Sequence, residues 1–115
     1  LVLRSVQHLD FSLDKLQIRF AREVPTLAEL KLPDGSFMRI GLGLHFSVLS
    51  FRGADGKRKI SKGSRKTEGE ISFLWNEEPY GFAWGRAIPT PLARDAMRTY
   101  FLDGSLDKNV TWEAL

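Results

Sequence analysis

Apolar and polar positions alternate along much of the chain, which is the pattern of β-strands that bury one face. Alternation and β-prone residues predict strands at residues 27–32, 37–42, 45–51, 57–60, 70–75 and 109–112, with a weaker strand at 2–6. Pro33-Asp34-Gly35 and Ala54-Asp55-Gly56 are turn signals between them. Short connections of this kind predict antiparallel pairing of neighbouring strands.

Residues 10–22 fit two patterns. Leu13, Leu16 and Phe20 are spaced by three and four, which predicts a helix that Asp10 or Ser12 could cap. Leu16, Ile18 and Phe20 also alternate with polar or small residues, as in a strand. We favour the helix, and expect Pro25 to end whichever element precedes it.

A second helix is predicted after Pro89 and Pro91, because proline is tolerated in the first turn. Thr90 is its expected N-cap and Gly104 its expected end. Before this helix, residues 77–81 are predicted to form a loop and residues 82–84 a short edge strand. The apolar stripe of the helix consists of Leu92, Ala93, Ala96, Met97, Tyr100 and Phe101.

These elements predict one α+β domain over residues 1–115, with two layers: an antiparallel β-meander sheet and two helices. A chain of 115 residues supports one hydrophobic core. Eight Phe, three Trp and two Tyr argue against disorder. The longest apolar runs fall far short of the roughly 20 residues that cross a bilayer, so no membrane partner is expected. The sequence opens with Leu1, which we do not expect to be the encoded start.

The chain contains no cysteine, which excludes disulfides, thiolate metal sites and a cysteine nucleophile. A small domain without disulfides is expected in the reducing cytoplasm. His8 and His45 are the two imidazoles, both predicted in strands or at strand ends, and no spacing resembles a zinc site. We therefore expect no catalytic residues, no metal and no cofactor.

The net charge of +3 conceals an uneven distribution. Residues 52–66 carry seven cations against one anion, whereas the chain from Glu68 onward carries eight acids and four bases. A basic hairpin at 57–66 could bind nucleic acid phosphates, which is the alternative function. No aromatic residue lies there to stack bases, so a solvated hairpin is the preferred interpretation. Its cations are Lys57, Arg58, Lys59, Lys62, Arg65 and Lys66.

The segment from Trp75 to Trp84 combines large aromatic side chains with acidic and turn residues. Trp75 and Phe82 are expected in the core, whereas Glu77, Glu78 and Tyr80 are expected to be exposed. Aromatic side chains are enriched where proteins bind one another. With Asp95, Asp103 and Asp107 these residues could form an acidic face for a basic partner. The predicted protein-binding residues are Asn76, Glu77, Glu78, Tyr80 and Asp103.

Over about residues 25–113 the sequence resembles immunity protein family one, the antitoxins of bacterial polymorphic toxin systems. The resemblance rests on Leu32–Gly35, Ile40–Gly43, Leu49–Phe51, Asp55-Gly56, Ile71–Trp75, Ile88-Pro89, Ala93, Ala96, Phe101, Gly104 and Val110–Trp112. It implies a cytoplasmic bacterial protein, active in interbacterial competition, that binds a cognate toxin and occludes its active site without a cofactor. Such toxins are often nucleic-acid deaminases or nucleases. Family members are often acidic, whereas this chain has a pI near 9.5.

Overall fold

The computed structural model describes residues 6–22, 24–64 and 68–115. Within these residues, two helices, α1 (Val6–Arg22) and α2 (Thr90–Asp103), accompany nine strands and a single 3₁₀ turn at Trp84–Arg86. The strands are β1 (Thr26–Lys31), β2 (Phe37–Leu42), β3 (Phe46–Ser47), β4 (Leu49–Arg52), β5 (Arg58–Lys62), β6 (Glu70–Trp75), β7 (Glu78–Ala83), β8 (Ile88–Pro89) and β9 (Thr111–Ala114).

Seven strands form one mixed sheet in the order β7-β6-β1-β2-β4-β5-β9, and β3 pairs with β8 beside it. The predicted α+β class with two helices is confirmed, but the prediction of an antiparallel meander is wrong. β6 returns to lie parallel to β1, with Thr26 beside Leu74 and the Leu74 amide donating to Pro25 O at 2.9 Å. The other pairs in the sheet are antiparallel.

Helix α1 resolves the ambiguity of residues 10–22 in favour of the helix. Its buried stripe includes Leu9 and Leu13, and Leu16 and Phe20 pack against the same core. The helix begins at Val6, four residues before the predicted cap, so the prediction that His8 lies in a strand is wrong. Residues 2–5 of the predicted first strand lie outside the described residues.

Helix α2 ends as predicted at Gly104, whose φ of 66° is left-handed and whose amide donates to Tyr100 O at 2.8 Å. The prediction that Thr90 caps the helix is wrong. Pro89 holds the cap position, and the Thr90 hydroxyl donates to Leu44 O at 3.1 Å. That bond ties the start of α2 to the segment after β2.

The two helices share an ion-pair network at their exposed seam. Arg98 Nε donates to Asp10 Oδ1 at 2.8 Å, and Arg94 pairs with Asp14 at 2.5 Å. The hydrogen bond to Asp10 raises the pKa of Arg98 above its ordinary value. These pairs connect residues far apart in sequence and therefore bridge α1 and α2.

A buried hydroxyl pair links α2 to the β1–β2 turn. The Tyr100 and Ser36 hydroxyl oxygens lie 2.6 Å apart, and the Ser36 hydroxyl donates to Asp34 Oδ1 at 2.6 Å. Burial raises the pKa of Tyr100, and the bonds from Ser36 lower the pKa of Asp34. Tyr100 is fully buried, so this pair satisfies a polar group that would otherwise be costly in the core.

The sheet has an apolar cluster on each face. Met38, Ile40 and Leu49 face the helices and belong to the main core. The opposite face carries a second cluster, built around Phe73 and Val48 and covered by the 3₁₀ turn and β8 segment. On the same face, Trp75 is only half-buried and Tyr80 is 44% exposed.

Candidate functional site

The segment with the predicted binding residues forms a hairpin rather than a loop. Residues 78–83 form the edge strand β7, so the predicted loop at 77–81 is wrong. The predicted short edge strand at 82–84 is confirmed for residues 82–83, whereas Trp84 begins the 3₁₀ turn. Asn76 and Glu77 are the two turn residues, and both have positive φ, 50° and 66°. Positive φ at both centres is typical of the type I′ turn that closes two-residue hairpins.

The hairpin register places its exposed groups on the open face of the sheet. Glu78 lies opposite Trp75, and Tyr80 lies opposite Phe73. Directly opposed residues point to the same side of a sheet. Glu78 and Tyr80 therefore share the side of the second cluster, and Tyr80 is 44% exposed.

Arg39 and its neighbours extend this surface across β1 and β2. The Arg39 guanidinium carbon lies 4.2 Å from the Trp75 ring centroid and 4.9 Å from that of Phe37. Its Nε donates to Glu29 Oε1 at 3.0 Å. We call the five residues Glu29, Phe37, Arg39, Trp75 and Tyr80 the open-face cluster.

Sequence reasoning missed Arg39 and assigned Trp75 to the core. Trp75 packs against the second cluster but is only half-buried, because the cover over that cluster does not reach it. The sequence does contain a pattern that could have identified Arg39. Glu29 and Arg39 occupy polar positions in two strands that a short turn joins. Opposed charges across such a hairpin indicate an uncovered face.

The predicted acidic face does not form as one surface. Asp103 is exposed, but it ends α2, on the helix-covered side of the sheet. Asp95 lies on the same helix and pairs with Arg98. The inclusion of Asp107 is wrong, because this side chain is buried and accepts a 2.8 Å bond from the Asn109 amide. Only Asn76, Glu77, Glu78 and Tyr80 come together.

The basic hairpin is also divided between two faces. Arg58 lies opposite Arg52 and Lys59 opposite Phe51, so consecutive cations on β5 point to opposite sides. Lys57 and Lys62 are exposed. Arg65 and Lys66 lie outside the described residues. The described cations of this hairpin thus do not converge on one phosphate-binding groove.

His45 lies at the end of the β2–β3 connection, beside a shallow groove of about 390 Å³. Gln17, Arg94 and Asp95 also line it. The Asp95 carboxylate pairs with Arg98, and Gln17 Nε2 donates to Leu44 O at 2.8 Å. Both neighbours that could orient an imidazole thus already have partners, Asp95 within α2 and Gln17 in the β2–β3 connection. His8 lies on α1 instead.

Two features are absent from residues 6–22, 24–64 and 68–115. Within these ranges no three His, Asp or Glu side chains are grouped so that they could hold a metal ion. In the same part of the chain, no helix has the length and apolar character needed to cross a bilayer.

Comparison with known proteins places the chain in a family. No curated protein matches it. Residues 1–114 match the family model described as immunity protein Imm1. The match runs to the end of β9 and also includes residues 1–24, which lie outside the segment that carries the sequence resemblance. This chain therefore belongs to the Imm1 immunity protein family.

Proposed function

We propose that this protein is an antitoxin that binds a cognate bacterial toxin and covers the toxin's active site. Membership of the Imm1 family is the observation that carries this proposal. Immunity proteins are generally non-enzymatic, so inhibition by steric occlusion requires only a preformed surface. The toxin is expected in the same cytoplasm, where its leakage must be suppressed by an affinity on the order of nanomolar or better.

The toxin is proposed to act on nucleic acid, as a deaminase or a nuclease. An enzyme of that kind needs a basic cleft to hold its polyanionic substrate. Glu77 and Glu78 present two exposed carboxylates at the tip of the β6–β7 hairpin, beside the exposed Tyr80. This combination of acids and an aromatic side chain complements a basic cleft.

The backbone of the hairpin turn supports a role for its tip. Glu77 adopts a φ of 66°, a conformation that costs a non-glycine residue about 1–2 kcal/mol. Glycine is the usual residue at the second centre of a type I′ turn. A glutamate at such a position favours a use for its carboxylate beyond closing the hairpin.

Co-expression with the toxin tests this interface. The probe is the C-terminal domain of the protein encoded by the neighbouring upstream gene, which we expect to be the toxin. The variant is Glu77→Lys with Glu78→Lys. Placing cations against a basic cleft is expected to abolish protection and weaken binding by 100-fold or more, on the order of several kcal/mol. The melting temperature should change little, since exposed charges contribute little to stability.

Asp103→Lys is the matched control, because Asp103 is also an exposed acid but lies on the helix-covered side. It should protect cells as the wild type does. Full protection by the folded hairpin variant would remove Asn76–Tyr80 from the interface without affecting the family assignment. Failure of the wild type to protect against this toxin would contradict the proposed function itself.

A further inference from the structure

Arg39 is held in place by three neighbours. Its Nε is fixed by the Glu29 carboxylate, and its guanidinium contacts the Trp75 and Phe37 rings at the distances given above. Within the described ranges of the chain, neither terminal nitrogen of Arg39 forms a hydrogen bond. The side chain is nevertheless 28% exposed. Arg39 thus presents two unengaged NH2 groups to solvent from a constrained position.

A constrained guanidinium suits one type of ligand. The two terminal nitrogens form a planar fork that matches the two oxygens of a carboxylate. Holding Nε and placing the guanidinium over aromatic rings removes much of the side-chain entropy that binding would otherwise cost. Arginine, tryptophan and tyrosine are also the residues that most often dominate binding energy at protein interfaces.

The surroundings of Arg39 favour a protein carboxylate over a nucleic acid phosphate. Glu29 is bonded to Arg39, and Glu78 lies opposite Trp75 on the same face. Two carboxylates beside the fork repel any anion, but a phosphate backbone brings several negative charges close to them, whereas an isolated acid on a protein brings one. Tyr80 and Trp75 add exposed aromatic area, which suits a protein partner.

We infer that Arg39 is the central anchor of the toxin interface, and that it receives an aspartate or glutamate side chain of the toxin. The open-face cluster forms the contact surface, and Glu77 and Glu78 meet toxin lysines or arginines at its rim. The toxin surface should thus carry an acid flanked by bases. This inference rests on the proposed function and adds the anchoring residue to it.

Arg39→Lys and Arg39→Ala test the inference against the purified toxin domain encoded beside the gene. Arg39→Lys keeps the charge but lacks the fork, so it should weaken binding by about tenfold, and Arg39→Ala by about 100-fold. Arg22→Ala removes an exposed arginine on α1 and should bind as the wild type does. If Arg39→Ala does not fold, Arg39→Lys carries the test alone.

Wild-type affinity in folded Arg39→Lys would overturn the inference while leaving the antitoxin role intact. A second probe, a 20-nucleotide single-stranded DNA, identifies the other outcome. Tight DNA binding that both Arg39 variants lose would assign the fork to phosphate and overturn the inference as well. If the wild type does not bind the toxin domain, the proposed function fails first, and that result is distinguishable from either of these.

Discussion

At the scale of single residues, Glu77 combines a stability cost with an exposed charge. Glycine adopts this left-handed backbone conformation without steric penalty, whereas glutamate does not. Because the Glu77 side chain is exposed, its burial does not offset this conformational cost. Exposure of Glu77 was predicted from the sequence and is confirmed. The strain was not predictable, because a loop rather than a two-residue turn was expected there.

Glu77→Gly should separate these two effects. Relief of the positive φ is expected to raise the free energy of unfolding by about 1 kcal/mol. Loss of the carboxylate is expected to weaken toxin binding by about three- to tenfold. Urea unfolding and titration with the toxin domain measure the two quantities. Asn76→Gly alters the same turn without removing a charge, and equal affinity losses in both variants would show that the backbone, not the carboxylate, matters.

At the scale of elements, the segment after β7 is held against β5. The Gly63 amide donates to Gly85 O at 2.7 Å, and the Ser61 hydroxyl donates to Arg86 O at 2.8 Å. A Cβ on Gly63 would overlap the Ala87 carbonyl oxygen. Because that oxygen belongs to the backbone, the segment would have to move as a unit.

Gly63→Ala is therefore expected to lower the free energy of unfolding by about 2 kcal/mol through overpacking. Ser64→Ala is the control, since Ser64 is the exposed next residue. Thermal and urea unfolding of the two variants check the expectation. A Gly63→Ala protein as stable as the wild type would mean that the 84–87 segment is not fixed on β5 as described.

Local sequence patterns predicted the bounds of helices and strands better than they predicted which strands pair. β2 and β6 have the predicted bounds, and α2 ends at Gly104 as expected. The parallel contact of β6 with β1 joins Leu74 to Thr26, and alternation within either strand carries no information about it. β7 was missed because Pro79 and Gly81 are typical of loops, although an edge strand tolerates both.

At the scale of the whole molecule, the sheet separates two surfaces. One face packs on α1 and α2, and the other leaves the open-face cluster exposed beyond its partial cover. Exposure of Glu77, Glu78 and Tyr80 could be predicted from the sequence. Their proximity to Arg39 could not, because it depends on β1 and β6 pairing across more than 40 residues of chain.

The affinity of the purified protein for the toxin domain encoded beside its gene tests the central claim most directly. Calorimetric titration at near-physiological salt should show a complex with a Kd on the order of nanomolar or tighter. The same titration with single-stranded DNA should show weak, salt-sensitive binding. Two results together would contradict the account. One is the absence of toxin binding, and the other is DNA binding that survives at this salt and is lost when Lys57, Arg58 and Lys59 are changed to serine.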